Sequence, residues 1–568
     1  MRRIFTALLA LTLVAASLTA CSPTLPARPS SGDSSAQLQA SRNKTLTIGV
    51  RSEANTAAAK GLQTTGSNVT PETLFNAGLT QVDNRGIPRP YLAEGLPQLN
   101  TGSWKVSADG HMETIYRLKP GLIWHDGTPM SAHDFAFALR VYSIPELGAS
   151  NPSPQNVIDD VAATNDRTVL IRWQKPFAEA GSLIETQFQA LPRHILEEPL
   201  QQLAPDAFAA HPFWTGSYIG LGAYRVEKWD PGVGLEASAF DGYVLGKPNI
   251  GRIRVVYIPD SNTVLANLLA GGLDIAMSNS LIFDQGLTLQ REWDAHGGVG
   301  VVHFYPSTGT TSRTTEFQLD PTRVAPSFKG TLDVRVRRAI AQAIDKQAIN
   351  DAVFESQGWM ADTRILPGDD IFPQVDQVIS KYPFDLRQSA QLMSEVAFTK
   401  GADGIYVDPD GLRFVGEDWI TASAQSERTQ AVMIAIWKQA GFEIGSKELS
   451  TVEQRDARLR AERPGTYTGD GGGLDTLGTD AIPRPENRYT GSNRGSYSSP
   501  EYDRLLGLWR GELDRDQRNQ DLVQMARLSS QDLPSIPLHY NLQITAHLAA
   551  LEGPTHEADN ISTWVWRG

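Results

Sequence analysis

The sequence predicts an α/β fold divided into two or three lobes, and three observations lead to that prediction. The chain has 568 residues, more than the roughly 250–300 at which a single hydrophobic core stops growing. Its hydrophobic content of 40% and charged content of 20% are those of an ordinary folded protein. Segments with the period of a strand and segments with the period of a helix are mixed along the chain, without a repeat.

The first residues predict a lipoprotein leader. Arg2 and Arg3 precede an apolar segment, Ile4 to Leu18, which is short for a stable span of a bilayer core of ~30 Å. Small residues then lead into Cys21, the single cysteine, in a pattern that resembles a bacterial lipobox. We therefore expect a signal peptide over 1–20 and a lipid on Cys21. An ordinary secretory leader or a signal anchor is the alternative.

The residues after the leader predict a tether followed by a globular body. Residues 21–43 are rich in Ser, Pro and Ala and are expected to form a flexible tether. The globular part begins with the strand-like KTLTIGV at 44–50. A net charge of −13 argues against nucleic acid as a partner, because phosphates require a basic face. A single cysteine excludes an intramolecular disulfide framework and a thiolate metal cluster.

Within the body, several helix starts can be read directly. Ser131 and Asp134 form an S-x-x-D capping box ahead of apolar residues at helical spacing. Asp333 can cap a second helix, and Ser499 can cap a third in which Pro500 takes the first helical position. Alternating segments at 167–173, 223–229 and 251–260 predict strands. We interpret all of these segments as scaffold.

Taken in order, eight segments of the chain resemble one known family. The most specific is ADGHMETIYRLKPGLIWHDGTPMSAHDFAFALR at 108–140, with its D-G-x-P turn before a capped helix. LGAYRVEKWDPG at 221–232 and DVRVRRAIAQAIDKQAI at 333–349 follow in the expected places. From about Lys44 to Tyr540 the chain resembles the extracellular solute-binding proteins of peptide-type ABC importers, which include oligopeptide-, dipeptide- and nickel-binding proteins. The family's G-P-Y reads Gly222-Ala223-Tyr224 here, so the proline of that turn is missing.

The resemblance implies a two-lobed periplasmic-binding-protein-like (type II) fold, with an extra inserted domain and a ligand cleft between the lobes. It places lobe I in three pieces, at 44–80, 186–295 and 525–568. The inserted domain is expected at 81–185. Lobe II is expected at 296–524.

The resemblance also implies a function. The protein is expected to be a monomeric receptor that captures peptides in the interlobe cleft and delivers them to an ABC permease. The lipid would hold it on the outer face of the bacterial cytoplasmic membrane. We expect no catalytic residue, no cofactor and no metal site. Oligosaccharide, haem or a chelated metal is the alternative cargo. A secreted hydrolase is a remote alternative, because the sequence has no G-x-S-x-G elbow and no H-E-x-x-H motif.

The family suggests where a peptide would be held. In peptide-binding relatives, an acidic residue just after a strand in this part of the second lobe pairs with the free α-amino group of the ligand. Asp470 and Asp475, in a glycine-rich tract, are the candidates here. Arg458 could meet a ligand carboxylate. A solvated surface loop is the alternative interpretation of this tract.

Three further candidates follow from their expected position at the cleft. Glu53 and Asn55 come after the first strand, where relatives offer groups to the ligand. Tyr540 lies near the last segment that crosses between the lobes. A purely structural role is the alternative for each of them.

Overall fold

The computed structural model describes residues 45–62, 72–83, 86–149, 154–277, 280–306 and 312–552. The predicted signal peptide (1–20), the predicted tether (21–43) and Cys21, the expected site of the lipid, lie outside the described residues. In the described ranges, no helix is both long enough and apolar enough to cross a membrane.

Strands and helices are mixed along the chain. The strands are β1 (Thr45–Val50), β2 (Thr80–Val82), β3 (Pro88–Pro90), β4 (Trp104–Val106), β5 (Met112–Arg117), β6 (Ile158–Asn165), β7 (Thr168–Trp173), β8 (Tyr224–Asp230), β9 (Gly234–Ala239), β10 (Arg252–Tyr257), β11 (Ile275–Ala276), β12 (Gly300–Pro306), β13 (Ser312–Phe317), β14 (Thr399–Lys400), β15 (Tyr406–Val407), β16 (Val415–Thr421), β17 (Glu443–Leu449), β18 (Thr466–Asp470), β19 (Ser535–Tyr540) and β20 (Leu542–Leu548). The α-helices are α1 (Glu72–Phe75), α2 (Ala132–Tyr142), α3 (Arg193–Gln202), α4 (Pro205–Ala209), α5 (Ser261–Leu269), α6 (Phe283–Ala295), α7 (Val334–Gln342), α8 (Lys346–Phe354), α9 (Phe372–Val378), α10 (Leu386–Glu395), α11 (Ala424–Ala440), α12 (Thr451–Arg455), α13 (Ala457–Ala461), α14 (Pro500–Gly511) and α15 (Arg515–Asp532).

The first lobe is built on a seven-stranded sheet, counted over the described residues, with the order β12-β20-β11-β1-β10-β9-β8. β1 runs parallel to both β10 and β11, and the other neighbouring pairs are antiparallel. Ile48 and Val255 are buried in one hydrophobic cluster. Ala276 and Ile544 are buried in another. Because both faces carry apolar side chains, the sheet is covered on both sides.

A second, smaller sheet is inserted beside the first. It has the antiparallel order β4-β5-β7-β6, and helix α2 packs on β6. The predicted start of α2 is confirmed, since the Asp134 carboxylate accepts a hydrogen bond of 2.9 Å from the Ser131 backbone N–H. Trp173 and Phe135 belong to the same hydrophobic cluster as Ile48. The inserted unit therefore shares a core with the first lobe.

The second lobe is built on a five-stranded sheet with the order β17-β16-β18-β13-β19 in the described part of the chain. β16 is parallel to both β17 and β18, and β13 is antiparallel to β18 and β19. The two predicted helix caps of this lobe are confirmed. The Asp333 carboxylate accepts from the Arg335 backbone N–H at 2.8 Å. The Ser499 hydroxyl accepts from the Tyr502 backbone N–H at 3.4 Å.

Between its described strands, the chain passes from one large sheet to the other twice, and this corrects the expected lobe boundaries. β12 pairs with β20 along its whole length, from Gly300 to Pro306, so it belongs to the first sheet. β19 pairs with β13 and belongs to the five-stranded sheet of the second lobe. The first passage therefore lies between Pro306 and Ser312, and the second lies at Asn541. The expected boundaries at 295/296 and 524/525 both fall too early, because strand pairing, which a single sequence does not display, decides the sheet.

Side chains also join the lobes away from these two passages. Arg428 on α11 forms an ion pair with Asp284 on α6 at 3.1 Å. The rings of Phe283 and Phe354 meet edge to face, with their centroids 5.2 Å apart. On the inserted unit, Glu179 forms an ion pair with Arg518 of α15 at 2.6 Å. The first two contacts tie the first lobe to the second, and the third ties the inserted unit to the second lobe.

Candidate functional site

In the first lobe, two candidate residues line a groove at the carboxyl ends of β1 and β10. Ligands of α/β proteins bind preferentially at that edge of a sheet. The groove has a volume of about 450 Å³ and is lined by Glu53 and Asn55 together with Thr215, Ser217 and Trp229. We call it the first-lobe groove. The structure therefore brings Glu53 and Asn55 together, beside a large cavity.

Glu53 holds one wall of the first-lobe groove in place. One carboxylate oxygen, Oε1, accepts a hydrogen bond of 2.6 Å from the indole Nε1–H of Trp229. The other, Oε2, accepts one of 2.8 Å from the backbone N–H of Gly232, in the turn between β8 and β9. Both oxygens are engaged, so Glu53 positions the Trp229 ring and the hairpin turn. Asn55 is exposed at the groove.

In the second lobe, Asp470 lies at the carboxyl end of β18, where the chain passes between the lobes. Its Oδ1 atom accepts from Arg313 Nη1 at 3.0 Å and from Asn541 Nδ2 at 3.0 Å. Arg313 is the second residue of β13, just after the first passage, and Asn541 forms the second passage. One carboxylate oxygen thus binds donors next to both passages. The Asp470 side chain remains 56% exposed, and its Oδ2 accepts no hydrogen bond from any residue that the structure describes.

Near this carboxylate, three buried polar atoms form no hydrogen bond with any residue that the structure describes. They are Ser312 Oγ, Arg313 Nε and His539 Nε2. His539 lies opposite Arg313 in the pairing of β13 with β19, and its Nδ1 donates to the Tyr540 carbonyl at 3.2 Å. Burial lowers the pKa of His539 to about 4, so the imidazole is neutral at pH 7. Unpaired buried polar groups are rare in folded proteins and are often found at functional positions.

The glycine-rich tract and Asp475 follow directly after Asp470. Asp475 is exposed in a short 3₁₀ turn, Leu474–Leu477. Beneath the tract, the buried Arg364 donates to the Gly472 carbonyl at 3.0 Å and to the Ser535 hydroxyl at 2.8 Å. Burial lowers the pKa of Arg364, and the charges of Glu316, Tyr502 and Asp475, in that order, oppose this shift. Asp475 therefore contributes to the electrostatic balance of a buried arginine.

Tyr540 and Arg458 are engaged elsewhere in the fold. Tyr540 is only 2% exposed, and its hydroxyl donates to the Ile365 carbonyl at 2.7 Å. It therefore packs the second passage and presents no surface to a ligand. Arg458 lies on α13, where its guanidinium pairs with Glu462 at 2.8 Å and lies over the Tyr489 ring. Its side chain is 68% exposed, as expected of a surface charge.

Sequence reasoning did not find three residues that shape these sites. Trp229, Arg313 and Asn541 each act through a partner that is distant in sequence. The Arg313–Asp470 pair spans 157 residues and the Trp229–Glu53 pair spans 176. In the sequence, only Trp229 could have been singled out, because it lies in the segment at 221–232 that resembles the family. In the described ranges, no group of three or more His, Cys, Asp or Glu side chains is placed to hold a metal ion.

Comparison with known proteins identifies the family. Residues 95–485 match the model of the bacterial extracellular solute-binding proteins, family 5 middle. The oligopeptide-binding protein AppA of Bacillus subtilis is 23% identical over 507 residues, which cover 87% of this chain and 86% of that protein. The heme-binding protein A of Haemophilus influenzae is 22% identical over 500 residues, which cover 83% of each chain.

A solved structure supports the same fold. NikA from Brucella suis, in complex with Fe(III)-EDTA, superposes with a TM-score of 0.70 at 18% identity, over 92% of this chain and 99% of that one. The predicted two-lobed α/β fold of periplasmic binding proteins is confirmed. Because the family model covers more than half of the chain, this protein belongs to the bacterial extracellular solute-binding proteins of family 5.

Proposed function

We propose that this protein captures short peptides between its two lobes and delivers them to an ABC permease. The observation that carries the proposal is the Asp470 carboxylate. Two donors hold its Oδ1 in place, and the exposed Oδ2 is open to a ligand ammonium group. A charge-assisted hydrogen bond of this kind suits a free peptide amino terminus. The similarity to the oligopeptide-binding protein AppA supports the same cargo.

The neighbouring charges limit how tightly an amine can bind. Arg313 already neutralises much of the Asp470 charge. A ligand ammonium therefore gains less here than at an unpaired carboxylate. We expect the remaining affinity to come from the peptide backbone and side chains. The first-lobe groove, with its Trp229 ring and its polar Thr215 and Ser217, would receive them.

The test compares free and blocked peptides. The full-length chain, purified in mild detergent, is titrated by calorimetry with alanine peptides of two to nine residues. Each length is also tested with an acetylated amino terminus. We expect stoichiometric binding of some lengths and a loss of affinity of about tenfold or more on acetylation. Equal affinity for free and acetylated peptides would exclude amine recognition by Asp470.

A chelated metal or haem is the second candidate cargo. The similarities to heme-binding protein A and to NikA with Fe(III)-EDTA favour it. Native mass spectrometry of freshly purified protein separates the two proposals. A bound mass in the range of short peptides supports the first, and a haem or metal-chelate mass supports the second.

We also propose that Cys21 carries the lipid that keeps the receptor on the outer face of the cytoplasmic membrane. The support is the sequence pattern of residues 1–21. In this proposal the tether keeps the body within reach of its permease. The variant Cys21→Ala should be released from membranes or remain unprocessed. A correctly processed Cys21→Ala protein that stays in the membrane fraction would contradict the anchor.

A further inference from the structure

The inserted region of the first lobe encloses a cavity that the peptide proposal does not use. Its volume is about 120 Å³, room for about four water molecules. Its walls carry the side chains of Thr73, Asn76, Gln81, Tyr91 and Glu185, together with the apolar Val82 and Ile184. Five of the seven lining side chains therefore carry a polar group: a hydroxyl, two amides, a phenol and a carboxylate. These groups offer hydrogen-bond partners to water or to a small polar ligand.

The carboxylate of Glu185 is the unusual member of this wall. Glu185 is only 8% exposed, and among the described residues no other residue donates a hydrogen bond to its carboxylate. Burial raises its pKa. The nearby Tyr91 hydroxyl is already engaged, because it shares a hydrogen bond of 2.5 Å with the Tyr243 hydroxyl. Buried carboxylates are normally paired with a cation or with several donors.

A second polar group of the cavity also lacks a partner. The Thr73 hydroxyl is buried and forms no hydrogen bond within the described part of the chain. None of the described residues that line the cavity is Lys or Arg. The wall thus offers acceptor atoms from a carboxylate, a hydroxyl and the amide of Gln81, with no positive charge to balance them. An ammonium group carries one positive charge and three donors, which is the complement of this set.

We propose that this cavity, which we call the Glu185 pocket, binds the ammonium head of a primary amine, paired with Glu185 and hydrogen-bonded by Thr73 and Gln81. The amine is either a small free amine or the lysyl side chain of a captured peptide. The volume suits methylammonium, whereas a quaternary amine has no N–H and cannot donate to the three acceptors of the wall. The proposal is independent of amine recognition at Asp470.

The test uses methylammonium chloride as the probe and the full-length chain in detergent. We expect it to raise Tm by about 2 °C at ten times its dissociation constant, compared with equal sodium chloride. Tetramethylammonium, which has no N–H donor, should give no such rise. Glu185→Gln keeps the shape of the side chain and removes its charge, so the rise should disappear. Glu486→Gln, at an exposed carboxylate, is the matched control and should keep the full rise.

A second variant keeps the test decisive if Glu185→Gln folds poorly. Thr73→Val removes an unpaired hydroxyl, so the fold should tolerate it while methylammonium binding weakens several-fold. The proposal fails if methylammonium gives wild-type protein no rise beyond sodium chloride. It also fails if Glu185→Gln and Thr73→Val both respond as fully as wild type. Either result would leave the pocket as a site for water only.

Two peptides identify the source of the amine. They differ only in lysine against norleucine, which has no ammonium group. A preference for the lysine peptide that disappears in Glu185→Gln assigns the pocket to peptide side chains. Equal binding of the two peptides, with the methylammonium effect intact, assigns it to small free amines. Both results support an ammonium site, and the methylammonium titration alone can overturn it.

Discussion

Two aspartates on neighbouring strands of the five-stranded sheet have opposite surroundings. Asp418 on β16 is 0% exposed, and its carboxylate accepts from the hydroxyls of Thr466 and Thr468 and from the amide of Gln430, at 2.8 to 2.9 Å. Asp470, at the end of β18, is half exposed, and one of its oxygens remains open. Burial raises the pKa of Asp418, and its hydrogen bonds only partly offset that shift.

The comparison shows that the surroundings of a carboxylate decide its role. Asp418 uses its capacity for hydrogen bonds inside the sheet, so it stabilises the fold and has no access to a ligand. Asp470 uses one oxygen for Arg313 and Asn541 and leaves the other accessible. Substitutions at the two positions should therefore separate stability from ligand affinity.

Asp418→Ala should have the largest effect. It removes the buried carboxylate that accepts from two threonine hydroxyls and a glutamine amide and leaves a cavity there. We expect this to cost about 3 kcal/mol in the free energy of unfolding. Urea denaturation, followed by circular dichroism, measures this loss. Asp418→Asn, which keeps the shape and one acceptor oxygen, is the control and should lose much less. A loss for Asp418→Ala below about 1 kcal/mol would contradict the structural role.

Asp470→Asn should change affinity without changing stability. The affinity for a free-amine peptide should fall about tenfold or more, because a charged acceptor becomes neutral. The midpoint of urea unfolding should stay close to that of wild type, since the side chain is half exposed. Calorimetry and denaturation of the same preparation measure both quantities. Asp475→Asn is the matched control and should bind nearly as well as wild type. If the two variants lose equal affinity, Asp470 has no special role.

Glu53→Gln should have a local effect at the first-lobe groove. The glutamine amide is neutral and has only one acceptor oxygen, so one of the two bonds, to Trp229 or to the backbone N–H of Gly232, is lost. We expect the turn between β8 and β9 to open more often and the Gly232 amide to exchange its hydrogen several-fold faster. Hydrogen exchange with mass spectrometry measures this. Unchanged exchange at the turn would show that Glu53 does not hold it.

Arg458→Ala should have the smallest effect. The residue makes a surface pair with Glu462 and contacts one aromatic ring, and such exposed pairs contribute little. Peptide affinity and the midpoint of urea unfolding should both match those of wild type. A clear loss of affinity would show that Arg458 contributes to peptide binding, as the partner of a peptide carboxylate.

Local features of the fold were readable from the sequence, and distant pairings were not. Ser131 with Asp134, and the caps at Asp333 and Ser499, act within three residues of chain, so the sequence displays them directly. The passages at Pro306–Ser312 and Asn541 depend on which strands pair, and that information is spread over hundreds of residues. The lobe boundaries were therefore placed too early.

The candidate site shows the same division. Position after a strand led to Glu53 and to Asp470, and the structure places both at the carboxyl ends of strands. Sequence could not show that Glu53 supports Trp229, or that Arg313 and Asn541 converge on Asp470, because each partner is distant in the chain. It also could not tell that Tyr540 is buried, since tyrosine occurs both inside proteins and at their surfaces.

The position of β20 has a consequence for how the protein forms during synthesis. β20 is the last described strand, and it lies one strand in from the edge of the first sheet, between β11 and β12. A nascent chain released in order from the ribosome lacks this strand until residue 548 has emerged, so β12 has no neighbour in that sheet. The five-stranded sheet is complete eight residues earlier, at Tyr540. A chain cut after Asn541 would therefore retain every described strand of the five-stranded sheet and lose the strand that joins β12 to the rest of the first sheet.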